Sequence, residues 1–367
     1  MTGIYIEGAV NRYCQEYVSS FCETLCGLFD DVKIIHSYSG TKANRIFNVS
    51  NDRFIYYNVK DFDCWSDLKN YAKRLLKDNN IDNIIILISG IHKGFRSDNM
   101  SMLRSFCKSR LKGNDKCNFN YMMTKTLFAK YLLVEASFDV CKNVYHFMLD
   151  TTEPDYSECC NYFGYDRNKY RLLYLSQNDK CTYMPCIEYG MQNKVNLANI
   201  DINKKDIDFL FYATAVQKSR EWLIECQDEI KSIPNSLVEV ITSGSDKKQV
   251  PQMLYLSLLG SAKFTLAIGA YDEKSFSIYR IIDATICNCL CLVHDSCNVK
   301  DFRITFPDIY NVYKENGLFV KTQKIGIVIG NLTNDKRNDI IKKIKDTRSW
   351  KKFMDKNYIK ERWKKIL

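Results

Sequence analysis

The sequence predicts an α/β protein made of two lobes, each built around a parallel β-sheet. The chain has 367 residues, which is long for a single core and suits two lobes of moderate size. Short apolar runs rich in β-branched residues alternate with segments of helical period, a pattern typical of parallel sheets. Only 5 prolines and 15 glycines are present, so we expect a compact boundary and no long linker.

The individual strands follow from these apolar runs. In the first lobe we predict strands at residues 4–6, 32–35, 84–88, 144–149 and 172–175. Those of the second lobe are predicted at residues 209–212, 238–242, 264–268 and 290–293. A loop region at about residues 183–199 is predicted to divide the two series. The first helix is predicted from one apolar face, made by Cys14, Val18, Phe21, Leu25 and Leu28.

Composition limits the class of protein. The chain is 46% hydrophobic and 26% charged, as in soluble globular proteins, and no apolar run approaches the ~20 residues of a membrane helix. The first residues lack the pattern of a secretory signal. We therefore expect a cytoplasmic monomer whose 16 cysteines are reduced, in the host cytoplasm if the source is viral. No CxxC pair occurs, so we predict no protein-bound metal, and we interpret His36, His146 and His294 as structural.

The charge is concentrated at the end of the chain. Residues 335–367 hold 13 Lys and Arg against 5 Asp and Glu, a net +8 of the total +10. This segment either meets phosphate groups or forms the solvated face of amphipathic helices. Its apolar side chains must also pack on a partner, and we predict that the last helix returns to the first lobe. These apolar residues are Trp350, Phe353, Met354, Trp363, Ile366 and Leu367.

Several short motifs run in order along both lobes. The segment Tyr145–Pro154 begins as a predicted strand that leads directly into Asp150. The pair Glu23-Thr24 lies in the first lobe, and the pair Val250-Pro251 lies in the second. The second lobe also carries Asp208-Phe209-Leu210-Phe211, then Ser219-Arg220-Glu221, and later Tyr279-Arg280-Ile281-Ile282-Asp283. Two such lobes without a GxGxxG loop suggest two Rossmann-like domains in the GT-B arrangement.

These collinear motifs resemble the phage DNA β-glucosyltransferase family, which transfers glucose from UDP-glucose to hydroxymethylated cytosine in DNA. The resemblance implies a GT-B fold, with two parallel sheets facing across a central cleft. It implies an acceptor-side lobe at residues 1–185, a nucleotide-sugar-binding lobe at 186–345 and a returning helix at 346–367. The partners implied are UDP-glucose and double-stranded DNA with hydroxymethylated bases. A divalent cation such as Mg²⁺ or Mn²⁺ would accompany the UDP rather than occupy a protein site.

The resemblance also implies roles for individual residues. Asp150 would be the general base that takes the proton of the acceptor hydroxyl, and Arg220 and Arg280 would clamp the diphosphate. Asp283, one helical turn after Arg280, would bind the ribose. The full set of implied donor-binding residues is Glu23, Thr214, Lys218, Arg220, Val250, Tyr271, Arg280 and Asp283. The residues alone favour a loop aspartate that caps a helix or turn at Asp150. For Arg280 and Asp283 the alternative is a surface ion pair.

The sequence departs from the family at three places. Tyr212-Ala213 stands where the family has Gly-Gly, Val216 replaces an arginine for which Lys218 is a substitute, and Thr152-Glu153 replaces an acceptor-loop arginine. The first two departures fall at the family's phosphate-binding loop, and the third falls at its acceptor loop.

The acceptor loop is predicted at residues 90–96, after the 84–88 strand. His92, Lys93, Phe95 and Arg96 there suit contacts with DNA and with a flipped base, although an ordinary βα loop has the same composition. For a DNA acceptor, the sequence leaves hydroxymethylcytosine and hydroxymethyluracil as alternative bases. Two other functions stay open: a GT-B enzyme with a protein, glycan or small-molecule acceptor, and an inactive nucleic-acid-binding module.

Overall fold

The computed structural model describes residues 1–6, 15–38, 47–59, 61–88, 122–148, 170–174, 182–215, 222–242, 251–268, 278–297 and 299–367. These residues form two compact units. The first contains the described parts of Met1–Leu175 and Asp179–Met184 together with Lys360–Leu367, and the second the described parts of Pro185–Ile359. The predicted C-terminal segment, 346–367, is thus divided after Ile359 between the units.

The first unit is built on a seven-stranded parallel sheet in the order β3-β2-β1-β4-β5-β6-β7. Its strands are β1 (Thr2–Ile6), β2 (Val32–Tyr38), β3 (Phe54–Asn58), β4 (Asn83–Ile88), β5 (Asn143–Met148), β6 (Tyr170–Tyr174) and β7 (Thr182–Tyr183). Its helices are α1 (Gln15–Leu28), α2 (Trp65–Asp78) and α3 (Met122–Val140). The chain order reverses between β1 and β4, which is the switch point of a doubly wound sheet.

The core of the first unit lies between this sheet and its helices. Tyr5 and Ile35 on the strands pack in one cluster with Leu68 of α2 and Leu132 of α3, all fully buried. Four residues of the apolar face predicted for α1 are also buried: Val18, Phe21, Leu25 and Leu28 are at most 7% exposed. The fifth, Cys14, lies outside the described residues.

The end of the chain completes this core. The Trp363 ring is fully buried, with its centroid 5.5 Å from that of Phe21 and 6.1 Å from that of Phe147. Two backbone carbonyls close the contact: that of Leu367 accepts from Asn83, and that of Ile366 accepts from the Tyr145 hydroxyl. The predicted return of the last helix to the first unit is confirmed for Lys360–Leu367.

The second unit is built on a five-stranded parallel sheet in the order β12-β11-β10-β8-β9. Its strands are β8 (Ile207–Ala215), β9 (Ser236–Thr242), β10 (Ala262–Ala267), β11 (Leu290–His294) and β12 (Phe319–Val320). The helices that surround it include α4 (Ile187–Leu197), α5 (Trp222–Lys231), α6 (Gln252–Ser261) and α7 (Tyr279–Ile286). Then follow α8 (Lys300–Thr305), α9 (Pro307–Glu315), α10 (Ile325–Gly330), α11 (Asn334–Asp346), α12 (Arg348–Met354) and α13 (Lys356–Lys364), of which α13 ends in the first unit.

The predicted loop at residues 183–199 is wrong. Thr182–Tyr183 pairs with β6, and Ile187–Leu197 is the helix α4. Ile187, Met191 and Val195 stand four residues apart on one buried face, and this spacing stabilises a helix through burial. The strand β3 was not predicted either, because its polar and aromatic residues do not make a continuous apolar run.

None of the helices in the described part of the chain is both long enough and apolar enough to cross a membrane. The described cysteines carry free thiols, and most of them are buried in the two cores. Cys287, Cys289 and Cys291 are fully buried, and burial raises the pKa of each thiol well above its ordinary value, so these thiols are neutral.

Candidate functional site

The second sheet has its own switch point, at β8. The chain passes from β8 to β9 on one side and then crosses to β10 on the other side. Leu210 of β8 lies opposite Thr265 of β10, whose hydroxyl donates to the Leu210 carbonyl at 2.8 Å. In open α/β sheets, ligands bind at the carboxyl ends of the strands beside such a point. The carboxyl ends of β8 and β10 are therefore the place where a ligand of this unit is expected.

Arg280 lies at this place. It is the second residue of α7, and its guanidinium donates from Nη2 to the backbone carbonyl of Tyr212 in the carboxyl half of β8, at 3.2 Å. The other terminal nitrogen, Nη1, donates to the Tyr255 hydroxyl at 2.6 Å, and the guanidinium carbon is 5.0 Å from the Tyr255 ring centroid. The side chain is thus fixed by a strand, by α6 and by a cation–π contact. A guanidinium held in this way is a preorganised cationic fork for an anionic ligand.

Asp283 projects from the same face of α7 as Arg280. Its carboxylate accepts from Gln252 Nε2 at 3.0 Å, so both residues face the first turn of α6. Asp283 is only 1% exposed, which rules out the surface ion pair that the sequence left open. The predicted placement of Arg280 and Asp283 on one helical face is confirmed.

Gln252 and Tyr255 were not predicted as site residues. They stand three residues apart at the start of α6, directly after Val250-Pro251, and Pro251 is the cap of that helix. Burial raises the pKa of Tyr255 to about 12, so its phenol stays protonated, and the nearby Arg280 guanidinium limits that rise. In the sequence, only their position directly after the Val250-Pro251 motif pointed to these two residues. Their contacts with α7 could not be predicted, because α6 and α7 are separate segments of the chain.

Two other predicted donor residues lie in the described chain. Glu23 is half-buried on α1 of the first unit, where its carboxylate accepts from the backbone N–H of Asn48 at 2.9 Å. Thr214 lies in β8, two residues after Tyr212, so the strand continues through Tyr212-Ala213. The role of Glu23 in sugar binding stays a prediction, and so does the role of Thr214.

The remaining predicted site residues lie outside the described part of the chain. They are Asp150, Lys218, Arg220, Val250, Tyr271, His92, Lys93, Phe95 and Arg96. The structure does describe the strands that precede the predicted acceptor loop and Asp150. Met148, the last residue of β5, pairs with Ile88, the last residue of β4, so the chain leaves both strands at the same edge of the first sheet.

Two histidines, one in each sheet, are buried, whereas the side chain of His146 lies outside the described part of the chain. Burial lowers the pKa of His36 on β2 to about 4, and burial also lowers the pKa of His294 on β11. His294 bonds through its two ring nitrogens to the hydroxyls of Ser296 and Thr322. Both rings are therefore neutral near pH 7. Among the described residues, no three His, Cys, Asp or Glu side chains come together as metal ligands.

Solved structures of similar fold cover nearly the whole chain. A glycosyltransferase from Rickettsia africae ESF-5 is 8% identical, with a TM-score of 0.53 over 100% of this chain and 97% of its own. An alpha-glucosyltransferase in complex with UDP and a 13-mer DNA containing a central A:G mismatch is 9% identical, with a TM-score of 0.54 over 100% and 98%. A UDP-GlcNAc 2-epimerase from Neisseria meningitidis, bound to UDP-GlcNAc, is 10% identical, with a TM-score of 0.51 over 100% and 99%.

No protein-family model matches the sequence. No curated protein sequence matches it either. At 8–10% identity the similar structures show the fold alone, and the chain has the GT-B fold, with a parallel sheet in each of two α/β units.

Proposed function

We propose that the protein is a glycosyltransferase that transfers glucose from UDP-glucose to the hydroxyl of a 5-hydroxymethylpyrimidine in DNA. The observation that carries the donor half of this proposal is the fixed guanidinium of Arg280 at the switch point of the second sheet. The acceptor half rests on the resemblance at Asp150 and at residues 90–96, and on the basic C-terminal segment.

The donor chemistry follows from the charge of the leaving group. When the bond between the anomeric carbon and the diphosphate breaks, UDP takes the electron pair and negative charge grows on its phosphate oxygens. A preorganised cation stabilises that charge without reorganising at the moment of reaction. Arg280 is such a cation, and Arg220 is its proposed second partner. Gln252, at the start of α6, donates a hydrogen bond to Asp283 of α7, and the two side chains would bind the ribose hydroxyls there.

The acceptor chemistry needs one base. Asp150 would take the proton of the hydroxymethyl group while that oxygen forms a bond to the anomeric carbon. Attack opposite the leaving group inverts the carbon, so an α-linked donor gives a β-linked product. The compared DNA-bound enzyme is called an alpha-glucosyltransferase. The anomer of the product therefore distinguishes inversion, which gives a β-linked glucose, from retention, which gives an α-linked glucose. A proton–carbon coupling measurement on the isolated glucosylated nucleoside identifies the anomer.

The GT-B fold also serves another reaction of nucleotide sugars. The compared epimerase was solved with UDP-GlcNAc, so binding of UDP does not by itself identify the chemistry. The experiment therefore has two steps. UDP-glucose is first tested for slow hydrolysis by the purified chain, and UDP-GlcNAc for epimerisation. Transfer is then measured with duplexes that contain hydroxymethylcytosine, hydroxymethyluracil or plain bases. Hydrolysis without transfer to any duplex would favour a protein, glycan or small-molecule acceptor.

A further inference from the structure

A polar pocket lies at the edge of the second sheet opposite Arg280. It has a volume of about 390 Å³ and is lined mainly by residues before β8 and β11 and by one face of α11. Lys205 precedes β8, and its Nζ donates to the carbonyls of Gly260, before β10, and Cys287, before β11, at 2.6 and 2.8 Å. Because these three strands are parallel neighbours, the pocket lies at their amino ends, whereas Arg280 lies at the carboxyl ends.

The pocket is lined by cations. Arg337 and Lys345 stand eight residues apart on α11, and Lys205 lies across from them. Arg337 is only 5% exposed. Its two terminal nitrogens donate to two asparagine side chains of the same helix at 3.5 and 2.8 Å, and its Nε has no hydrogen-bond partner among the described residues. Lys345 Nζ donates to Asn288 at 2.5 Å. In the described part of the chain, no carboxylate lies within ion-pair distance of Lys205, Arg337 or Lys345.

The groups around these cations do not neutralise them. Cys287 and Cys289 face Lys205, but burial keeps both thiols protonated. Asp346 also lines the pocket, and its carboxylate lies 3.2 Å from Lys351. Burial, assisted by the nearby charges of Arg337 and Lys345, lowers the pKa of Lys205 to about 8.

This concentration of partly buried positive charge is unfavourable until an anion enters it. Lys205 uses its N–H groups on backbone carbonyls and therefore contributes charge more than hydrogen bonds. Arg337 and Lys345 supply the donors, and the exposed Lys342 stands at the rim. Guanidinium and ammonium groups together are the protein ligands typical of phosphate. The volume falls in the range of small-molecule sites and exceeds what one phosphate group needs.

We propose that this pocket is a second anion site, which binds a phosphate group through Arg337 and Lys345 beside Lys205. It is separate from the proposed donor site and does not depend on the proposed reaction. The phosphate belongs either to a small phosphorylated molecule or to a nucleic-acid backbone.

The test is calorimetric titration of the full chain with inorganic pyrophosphate at low ionic strength and pH 7. We expect Arg337→Gln and Lys345→Gln each to weaken binding by at least about tenfold, the loss of one charge-assisted contact. Lys343→Gln is the matched control, because Lys343 lies on the same helix in an ion pair with Asp339 at 2.7 Å. Arg280→Gln should still bind pyrophosphate in this pocket. That result would distinguish the pocket from the proposed donor site. Absence of binding to the wild type, or equal binding by all variants, would overturn the proposal.

A second test measures proton uptake by the wild-type chain and so needs no substitution of a buried residue. Sulfate, whose charge is fixed over this range, should draw a proton onto Lys205 at pH 8.5 and none at pH 6.5, because an anion raises the lysine pKa. Calorimetry in two buffers of different ionisation enthalpy measures this uptake. Sulfate binding without proton uptake at pH 8.5 would contradict a site beside Lys205. This readout stands even if Arg337→Gln fails to fold.

The source of the phosphate is found by competition. A plain duplex oligonucleotide that displaces pyrophosphate from the Arg280→Gln variant, in which binding at the donor site is weakened, assigns the pocket to the DNA backbone. A duplex that leaves pyrophosphate affinity unchanged assigns it to a small phosphorylated ligand.

Discussion

The guanidinium of Arg280 donates to the backbone carbonyl of Tyr212 at 3.2 Å and so ties the start of α7 to the carboxyl half of β8. The other terminal nitrogen donates to the hydroxyl of Tyr255, on a third element, α6, at 2.6 Å. A long, flexible side chain is thereby held in one position at the switch point of the sheet. The rotamer entropy that a ligand would otherwise have to remove is already lost in the folded protein.

Replacing this arginine should therefore weaken donor binding. We expect Arg280→Gln to reduce UDP affinity by about 1.5–3 kcal/mol, the range for hydrogen bonds to charged groups, or about 10- to 150-fold in Kd. Arg220→Gln should have an effect of similar size. Calorimetry with UDP measures both. Arg303→Gln, which changes an exposed arginine of the same unit, is the matched control and should bind as the wild type does. Wild-type affinity in both Arg280→Gln and Arg220→Gln would remove these residues from the donor site.

Tyr255→Phe refines the same measurement. It removes the hydroxyl that accepts from Arg280 but keeps the ring beneath the guanidinium. If the tyrosine acts by positioning the arginine, UDP affinity should fall less than in Arg280→Gln and the unfolding transition should stay close to that of the wild type.

The general base should act on turnover and not on donor affinity. We expect Asp150→Asn to lower the rate of transfer by about 10²–10⁴, the usual scale of general base catalysis, while UDP binding changes little. Glu153→Gln changes a neighbouring carboxylate and serves as the control. Steady-state transfer and UDP calorimetry are measured on the same samples. Turnover close to that of the wild type in Asp150→Asn would eliminate it as the base.

The predicted acceptor loop should contribute to the salt dependence of DNA binding. Each phosphate contact gives a log–log salt slope of about −0.9. Replacing Lys93 and Arg96 together should make the slope shallower by up to about two contacts, while UDP binding persists. Phe95→Ala should instead lower transfer more than duplex affinity, because stacking follows extrusion of the base. A slope identical to that of the wild type in the double variant would place the phosphate contacts elsewhere.

His36 should make the protein less stable in acid. Its pKa is about 4 in the folded protein because of burial, against 6.5 for an ordinary histidine, so the unfolded chain binds the proton first. The free energy of unfolding therefore falls as pH drops below about 6.5 and is unaffected by this group above that pH. Between pH 7 and pH 5 the loss should be about 2 kcal/mol.

The control is His36→Gln, which removes the titration. Urea unfolding of the first unit, followed at pH 7 and pH 5, should show a smaller pH difference in the variant than in the wild type. If the free energy of unfolding changed equally between pH 7 and pH 5 in the two proteins, protonation of His36 would not destabilise the fold.

Much of the fold was predictable because the buried strands are continuous apolar runs. Residues 84–88 and 290–293, for example, lie within β4 and β11. The helix α4 was missed because Glu188 and Gly190 interrupt its apolar face in the sequence, although Glu188 caps the backbone N–H of Cys186.

The site was predictable only in part. Arg280 and Asp283 follow from one motif on one helix, whereas Gln252 and Tyr255 belong to the site through contacts with another helix. The pocket proposed to bind an anion joins Lys205 to Arg337 and Lys345 over more than a hundred residues of sequence. In the sequence, Arg337 and Lys345 stood out only as part of a basic C-terminal segment. Contacts of this kind depend on the order of strands, which local sequence does not contain.

The central claim is that glucose is transferred to a hydroxymethylated base in DNA. The direct measurement is transfer of labelled glucose from UDP-glucose to three matched duplexes, one with hydroxymethylcytosine, one with hydroxymethyluracil and one with plain bases. The proposed function predicts label in one or both hydroxymethylated duplexes, none in the plain duplex, and loss of the label with Asp150→Asn. Absence of label from all three duplexes, with UDP-glucose still bound and slowly hydrolysed, would contradict a DNA acceptor.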